Sequence, residues 1–172
     1  EARLAKTQLV YSDVGIGAPR VLFVGLGARK DATLVTLRHA LGAATIACQE
    51  RKFGSFAVAL PEWLFTKFRP AALGEFVSRG IVAASYSYDV FKTREDAKII
   101  PVNEVVFVNV VSAKRAAFQK GVESGDHIAR CINYVRDLGN TPPHEMTPIR
   151  LAQEAQKVAL VHPKKIHCTV LD

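Results

Sequence analysis

The chain has 172 residues, 49% of them apolar and 23% charged, with a net charge of +7, which suffices for one packed domain and part of a second and excludes a disordered polyelectrolyte. No apolar run approaches the roughly 20 residues of a membrane-spanning helix, and Glu1 to Lys6 lack a signal-peptide pattern, so a soluble, cytosolic chain is expected. Three scattered cysteines, Cys48, Cys131 and Cys168, exclude a disulfide scaffold and a Cys-x-x-Cys metal site.

The +7 charge would attract anions, nucleic acid among them. The basic residues are dispersed, however, as Arg29-Lys30, Arg51-Lys52, Lys114-Arg115 and Lys164-Lys165, which suits solvated faces better than a binding groove.

In chain order, strands and helices alternate, the pattern of an α/β layered domain. Leu9 to Tyr11 opens with a strand and Ser12 to Pro19 is rich in turn residues. Arg20 to Gly25 is nearly continuous in apolar residues, which predicts a central strand covered on both faces. Gly25-Leu26-Gly27 then leads to a helix from about Ala32 to Thr45, with Leu34, Leu37, Leu41 and Ala44 on one face. Phosphate sites use this order of strand, glycine turn and helix. Lys30 stands where a dinucleotide fingerprint needs its third glycine, and no Gly-Lys-Ser/Thr ending is present, so a tight turn is the plainer reading.

Ser55 to Leu60 predicts a strand closed by Pro61, and Trp63, Phe65 and Phe68 form an aromatic cluster of core or contact type. Ala72 to Ala84 has helical spacing through Leu73, Phe76, Val77 and Ile81. Asp89 can pair with Lys92 or Arg94, and Glu104 to Val110 predicts another buried strand. Ala113 to Leu138 reads as helix, with Gly121 and Gly125 as points of division and Ile128, Ile132, Val135 and Leu138 as its apolar stripe. His127 and Cys131 lie one helical turn apart, but two ligands do not make a metal site.

The stretch Arg136 to Pro148 carries the most information. Gly139 suits a left-handed helix end, Asn140-Thr141-Pro142-Pro143 predicts a stiff extended link, and Thr147-Pro148 predicts a capped restart. The restarted helix has Leu151, Ala155, Val158 and Ala159 on its apolar side and Gln153, Glu154 and Lys157 facing outward. Beyond His162-Pro163, the alternation of Ile166, Cys168 and Val170 predicts a strand.

Arg136 to Pro143, followed by Glu145 to Pro148, resembles the junction between the amino-terminal and catalytic domains of cytosol-aminopeptidase-type leucyl aminopeptidases. Val21 to Gly27, Thr33-Leu34, Thr36 to Arg38, Tyr88-Asp89 and Phe91-Lys92 extend the resemblance over nearly the whole chain, although His144 replaces a common asparagine. The resemblance implies an amino-terminal non-catalytic α/β domain over 1–139, similar to macro domains, with a mixed sheet flanked by helices. Residues 140–172 would then supply the linker, a helix and the first strand of the catalytic domain. It further implies that the family's first strand and helix precede Glu1, and that the catalytic domain continues beyond Asp172.

Family members are hexameric exopeptidases that use two divalent metals, zinc, manganese or magnesium, and their ligands lie in motifs past this span. No catalytic, metal-binding or cofactor-binding residue is therefore assigned here. The implied role is in subunit assembly and access to the active sites of a peptide-cleaving enzyme. The alternatives are a macro-like ADP-ribose-binding module and a basic nucleic-acid-binding domain. The first lacks an Asn-Ala-Ala-Asn stretch and a triple-glycine loop.

Overall fold

The computed structural model describes residues 3–12, 17–93 and 99–171. It is a mixed α/β structure with small sheets flanked by helices, and it divides into two compact units, Glu1–Asn133 and Tyr134–Asp172.

In the first unit, β1 (Thr7–Tyr11) and β2 (Arg20–Val24) form an antiparallel pair with Thr7 opposite Val24 and Tyr11 opposite Arg20. Ser12 N–H donates to the Pro19 carbonyl at 3.1 Å and closes the connection, part of which (13–16) lies outside the described residues. The expectation that β2 is a central strand covered on both faces is not met. Its partner among the described residues is β1, and Phe23 is 60% exposed. A continuous apolar run does not by itself distinguish a two-sided strand from one whose second face is open.

The helix that follows, α1 (Leu34–Glu50), starts two residues later than expected because Thr33 is its cap: Thr33 Oγ1 accepts from Thr36 N, and Thr36 Oγ1 accepts from Thr33 N. The helix also runs five residues past Thr45, whose hydroxyl is satisfied internally by the Leu41 carbonyl at 2.9 Å. Leu37, Leu41 and Ala44 are buried, as their spacing predicts.

β3 (Ser55–Ala59) pairs in parallel with β4 (Glu104–Val108), with Ser55 opposite Glu104 and Ala59 opposite Val108. Phe56, Val58, Val105 and Phe107 point to the core, whereas Val106 and Val108 on the other face are exposed. The valine-rich run is therefore buried on one side only, again a correction to the sequence reading. Between these strands, α2 (Trp63–Lys67) buries Phe65 and leaves Trp63 half-buried against the core. The Phe65 and Phe118 rings lie 5.5 Å apart, and Phe107 meets Phe118 edge-on at 5.2 Å. The aromatic cluster is core.

α3 (Pro70–Ala84) begins with Pro70 at its first position, where the missing N–H costs no hydrogen bond. α4 (Arg115–Asn140) is continuous, so Gly121 and Gly125 do not divide it. They serve a different purpose. A Cβ on Gly121 would lie 1.9 Å from the Ala71 carbonyl oxygen, and one on Gly125 would lie 2.3 Å from that of Glu75. These glycines admit the backbone of α3, and their lack of a side chain makes the close crossing possible. The buried side of α4 is accordingly Phe118, Gly121, Gly125 and Ala129. The predicted stripe is displaced from it, with Ile132 and Val135 41% and 63% exposed.

The core of this unit gathers Leu37, Leu41, Leu64, Phe65, Leu73, Val77, Ile81 and Phe118. Burying a side chain of this size contributes about 1.5–3 kcal/mol. The core therefore rests on α1, α2, α3 and the first half of α4.

Candidate functional site

The resemblance centres on the second unit, which contains the end of α4, a turn, and α5 (Pro148–Val161). Gly139 does not stop α4. The helix runs to Asn140, Gly139 has no left-handed backbone, and Thr141 N–H still donates to the Asp137 carbonyl at 3.0 Å. Pro142 and Pro143 then end the helix, since neither has an N–H to continue the ladder.

The segment after the prolines is a turn, contrary to the extended link expected. Glu145 N–H and Met146 N–H both donate to the Pro142 carbonyl at 2.9 Å. Proline forbids its own donation but not acceptance at its carbonyl, so a proline-rich segment can still fold back. The restart is as the sequence predicts: Pro148 opens α5, and Thr147 Oγ1 accepts from Arg150 N at 3.3 Å.

Glu154 departs furthest from its sequence reading. Expected to face outward, it is 8% exposed. Its carboxylate accepts from Tyr134 Oη at 3.0 Å, Lys157 Nζ at 2.8 Å and Arg150 Nε at 3.2 Å. Lys157 first, then Tyr134 and Arg150, hold the Glu154 carboxyl down at about 2, against the opposing effect of burial. Burial, with the hydrogen bond to Glu154 and its charge, pushes the Tyr134 phenol up.

This polar knot ties the last turns of α4 to α5. Its signal in the sequence was the spacing of Arg150, Glu154 and Lys157, which places both cations within reach of one carboxylate along a helix. The apolar residues do the reverse of what periodicity suggests, since Leu151 and Val158 are 51% and 41% exposed. Ile166 to Val170 forms no strand among the described residues, where its alternation finds no ladder partner.

The other candidates resolve into structural roles. After β2, Gly27 takes a left-handed φ of 73° with Leu4 Cβ 3.8 Å from its own Cβ position. Lys67 Nζ donates to the carbonyls of Arg29 and Lys30, each at 3.1 Å, while the capping box already serves the start of α1. A tight turn is what the structure shows. His127 Nε2 and Cys131 Sγ are 4.0 Å apart on the exposed side of α4. Among the described residues no three His, Cys, Asp or Glu side chains gather into a metal-holding group.

Asp89 pairs with Lys92 at 2.5 Å, and Arg94, its other expected partner, lies outside the described residues. Lys92, followed by Ser87, lowers the Asp89 carboxyl from its ordinary value. Some of the cations lie over rings: Arg20 over Phe53 at 4.1 Å and Arg29 over Trp63 at 5.0 Å. Among the described residues no helix is long and apolar enough to cross a membrane.

The family model described as "Cytosol aminopeptidase family, N-terminal domain" matches residues 1–95. A probable cytosol aminopeptidase of Roseiflexus castenholzii is 32% identical over 158 residues, which cover 90% of this chain and 31% of the relative. Among solved structures, the bottromycin maturation enzyme BotP in complex with Mn is similar with a TM-score of 0.68 and 25% identity, over 93% of this chain and 31% of that one. A mutant of tomato leucine aminopeptidase has a TM-score of 0.73 over 91% of this chain and 30% of its own, and at 20% identity it shows the fold alone. The chain spans about a third of the length of the curated relatives it matches.

Proposed function

The chain belongs to the cytosol aminopeptidase family, and from that premise we propose that it is the amino-terminal, non-catalytic domain of a leucyl aminopeptidase, joined to the start of the catalytic domain. The whole enzyme would be a cytoplasmic two-metal exopeptidase that removes amino-terminal residues from peptides. The observation that carries this reading is the match of residues 1–95 to the family's amino-terminal domain.

The reading places the domain border at 139/140, with 1–139 shaping subunit contacts and access to the active sites of a hexamer. Residues 140–172 lead into the catalytic domain. The two metals belong to that domain, where hard carboxylate ligands would lower the pKa of bound water and polarise the scissile carbonyl. A neighbour in fold that carries Mn supports manganese as one candidate. In this chain the Glu154 knot and the Pro142 turn would hold the linker helix in one orientation as it leaves α4.

The test has two arms. The 172-residue chain with manganese or zinc is expected not to hydrolyse leucine p-nitroanilide, and metal-dependent turnover by a pure preparation would overturn the non-catalytic assignment. A chimera in which this chain replaces the corresponding third of the Roseiflexus castenholzii relative is expected to retain hydrolysis. A folded chimera without activity would count against the aminopeptidase reading itself.

A further inference from the structure

At the crossing of α1 and α3, a Cβ on Gly80 would lie 2.4 Å from the Arg38 carbonyl oxygen, so only glycine lets the two backbones meet there. That approach brings Arg38 and His39 of α1 and Arg79 of α3 into the lining of one pocket of about 350 Å³, which Gly80, Ala83 and Ile132 also line. Among the described residues no acidic side chain lines it. Glu75 engages Arg79 at a single nitrogen, Nη1, at 3.2 Å, and the buried Arg79 Nε–H has no acceptor among the described residues. Arg38 Nη2 faces His39 Nε2 at 3.4 Å, a contact that leaves most of its guanidinium donors uncommitted.

Two guanidinium groups beside an apolar hollow present a defined chemistry. Planar N–H forks match the paired oxygens of a carboxylate or phosphate, and the apolar side of the lining accepts a compact hydrocarbon body but offers a polar one no side-chain partner. We propose that this pocket is a binding site for a small oxyanion, a carboxylate or phosphate on a compact apolar body, held by Arg38 and Arg79. The site lies wholly within the first unit and does not depend on the aminopeptidase reading. It also assigns a local use to two of the basic residues behind the +7 charge.

The test is a titration of the ¹⁵N-labelled 172-residue chain, followed by amide shifts, with isobutyrate in one arm and inorganic phosphate in the other. Sodium chloride at matched ionic strength is the reference. Saturable shifts clustered at Arg38, Arg79, Gly80 and Ala83 are expected, with isobutyrate stronger if the apolar lining contributes and phosphate stronger if charge alone does. Arg38→Gln should weaken binding about tenfold, as expected for loss of a charge-assisted fork. Arg79→Lys, which retains the charge and removes the fork, guards against loss of the fold and should also weaken it.

Lys164→Gln in the second unit should leave the affinity unchanged. Shifts no larger than those produced by chloride in both arms would overturn the proposal. So would binding that survives both arginine substitutions in a folded chain.

Discussion

The two units are held by opposite means. In the first, backbones approach until only glycine fits, as at Gly121 against Ala71, and large apolar side chains fill the space around the crossing. In the second, much of the apolar surface of α5 stays exposed and a buried carboxylate with three donors joins the helices. Close packing tolerates almost no added volume, whereas a polar knot tolerates volume and fails when its charge is removed. The lesson is that a glycine and a glutamate can each be the least replaceable residue of a helix, for unrelated reasons.

The sharpest way to break the contrast is a methyl group at each of two glycines of α4. Gly121→Ala should destabilise the chain by about 2–3 kcal/mol in urea unfolding, since the new Cβ meets backbone that must move. A neutral result would mean that the α3–α4 crossing is looser than 1.9 Å allows.

Acid should act on the second unit in its own way. The folded Glu154 carboxyl titrates at about 2 against an ordinary value of 4.5, so its contribution is complete above about 4.5 and is lost as pH falls toward 2. Protection factors of the α5 amides, with the intrinsic pH dependence of exchange divided out, should fall severalfold across that window. In Glu154→Gln this contribution should already be absent at neutral pH, and the fall in protection should disappear. An unchanged exchange profile in the variant would remove Glu154 from the account.

Loss of the α5 cap in Thr147→Ala should cost about 1 kcal/mol, read as faster exchange in the first turn of α5. The smallest effect has the opposite sign. Gly139 is helical with no atom within 4 Å of its Cβ position, so Gly139→Ala should stabilise by about 0.5–1 kcal/mol. The pair Gly121→Ala and Gly139→Ala thus sets the same substitution in one helix to opposite outcomes, measured as midpoint shifts in the same unfolding experiment.

Much of the chain was legible from local chemistry. The Thr147-Pro148 restart and the apolar face of α1 at Leu37 and Leu41 follow from capping and periodicity alone, while Phe65, read as core or contact, lies in the core. The family likeness lay in short motifs, and the match over residues 1–95 bears it out. Other features depended on partners distant in sequence. The exposure of Val106 and Val108 depends on what covers the second face of a strand, and Glu154 became an interior residue because Tyr134, twenty positions earlier, donates to it. The pocket between α1 and α3 joins Arg38 to Arg79, whose separation in the chain carries no signal of proximity.

By itself the sequence determined where α5 begins, which face of α1 is apolar, and that prolines 142 and 143 interrupt the helical run. These depend on interactions within a few residues, for which spacing and backbone chemistry are sufficient. Only the tertiary structure decided that α4 continues through its glycines, that a glutamate and not a leucine anchors α5, and that two arginines share one hollow. Each of those outcomes is fixed by how closely two elements approach, a quantity set by the packing of the whole unit and written in no single stretch of the chain.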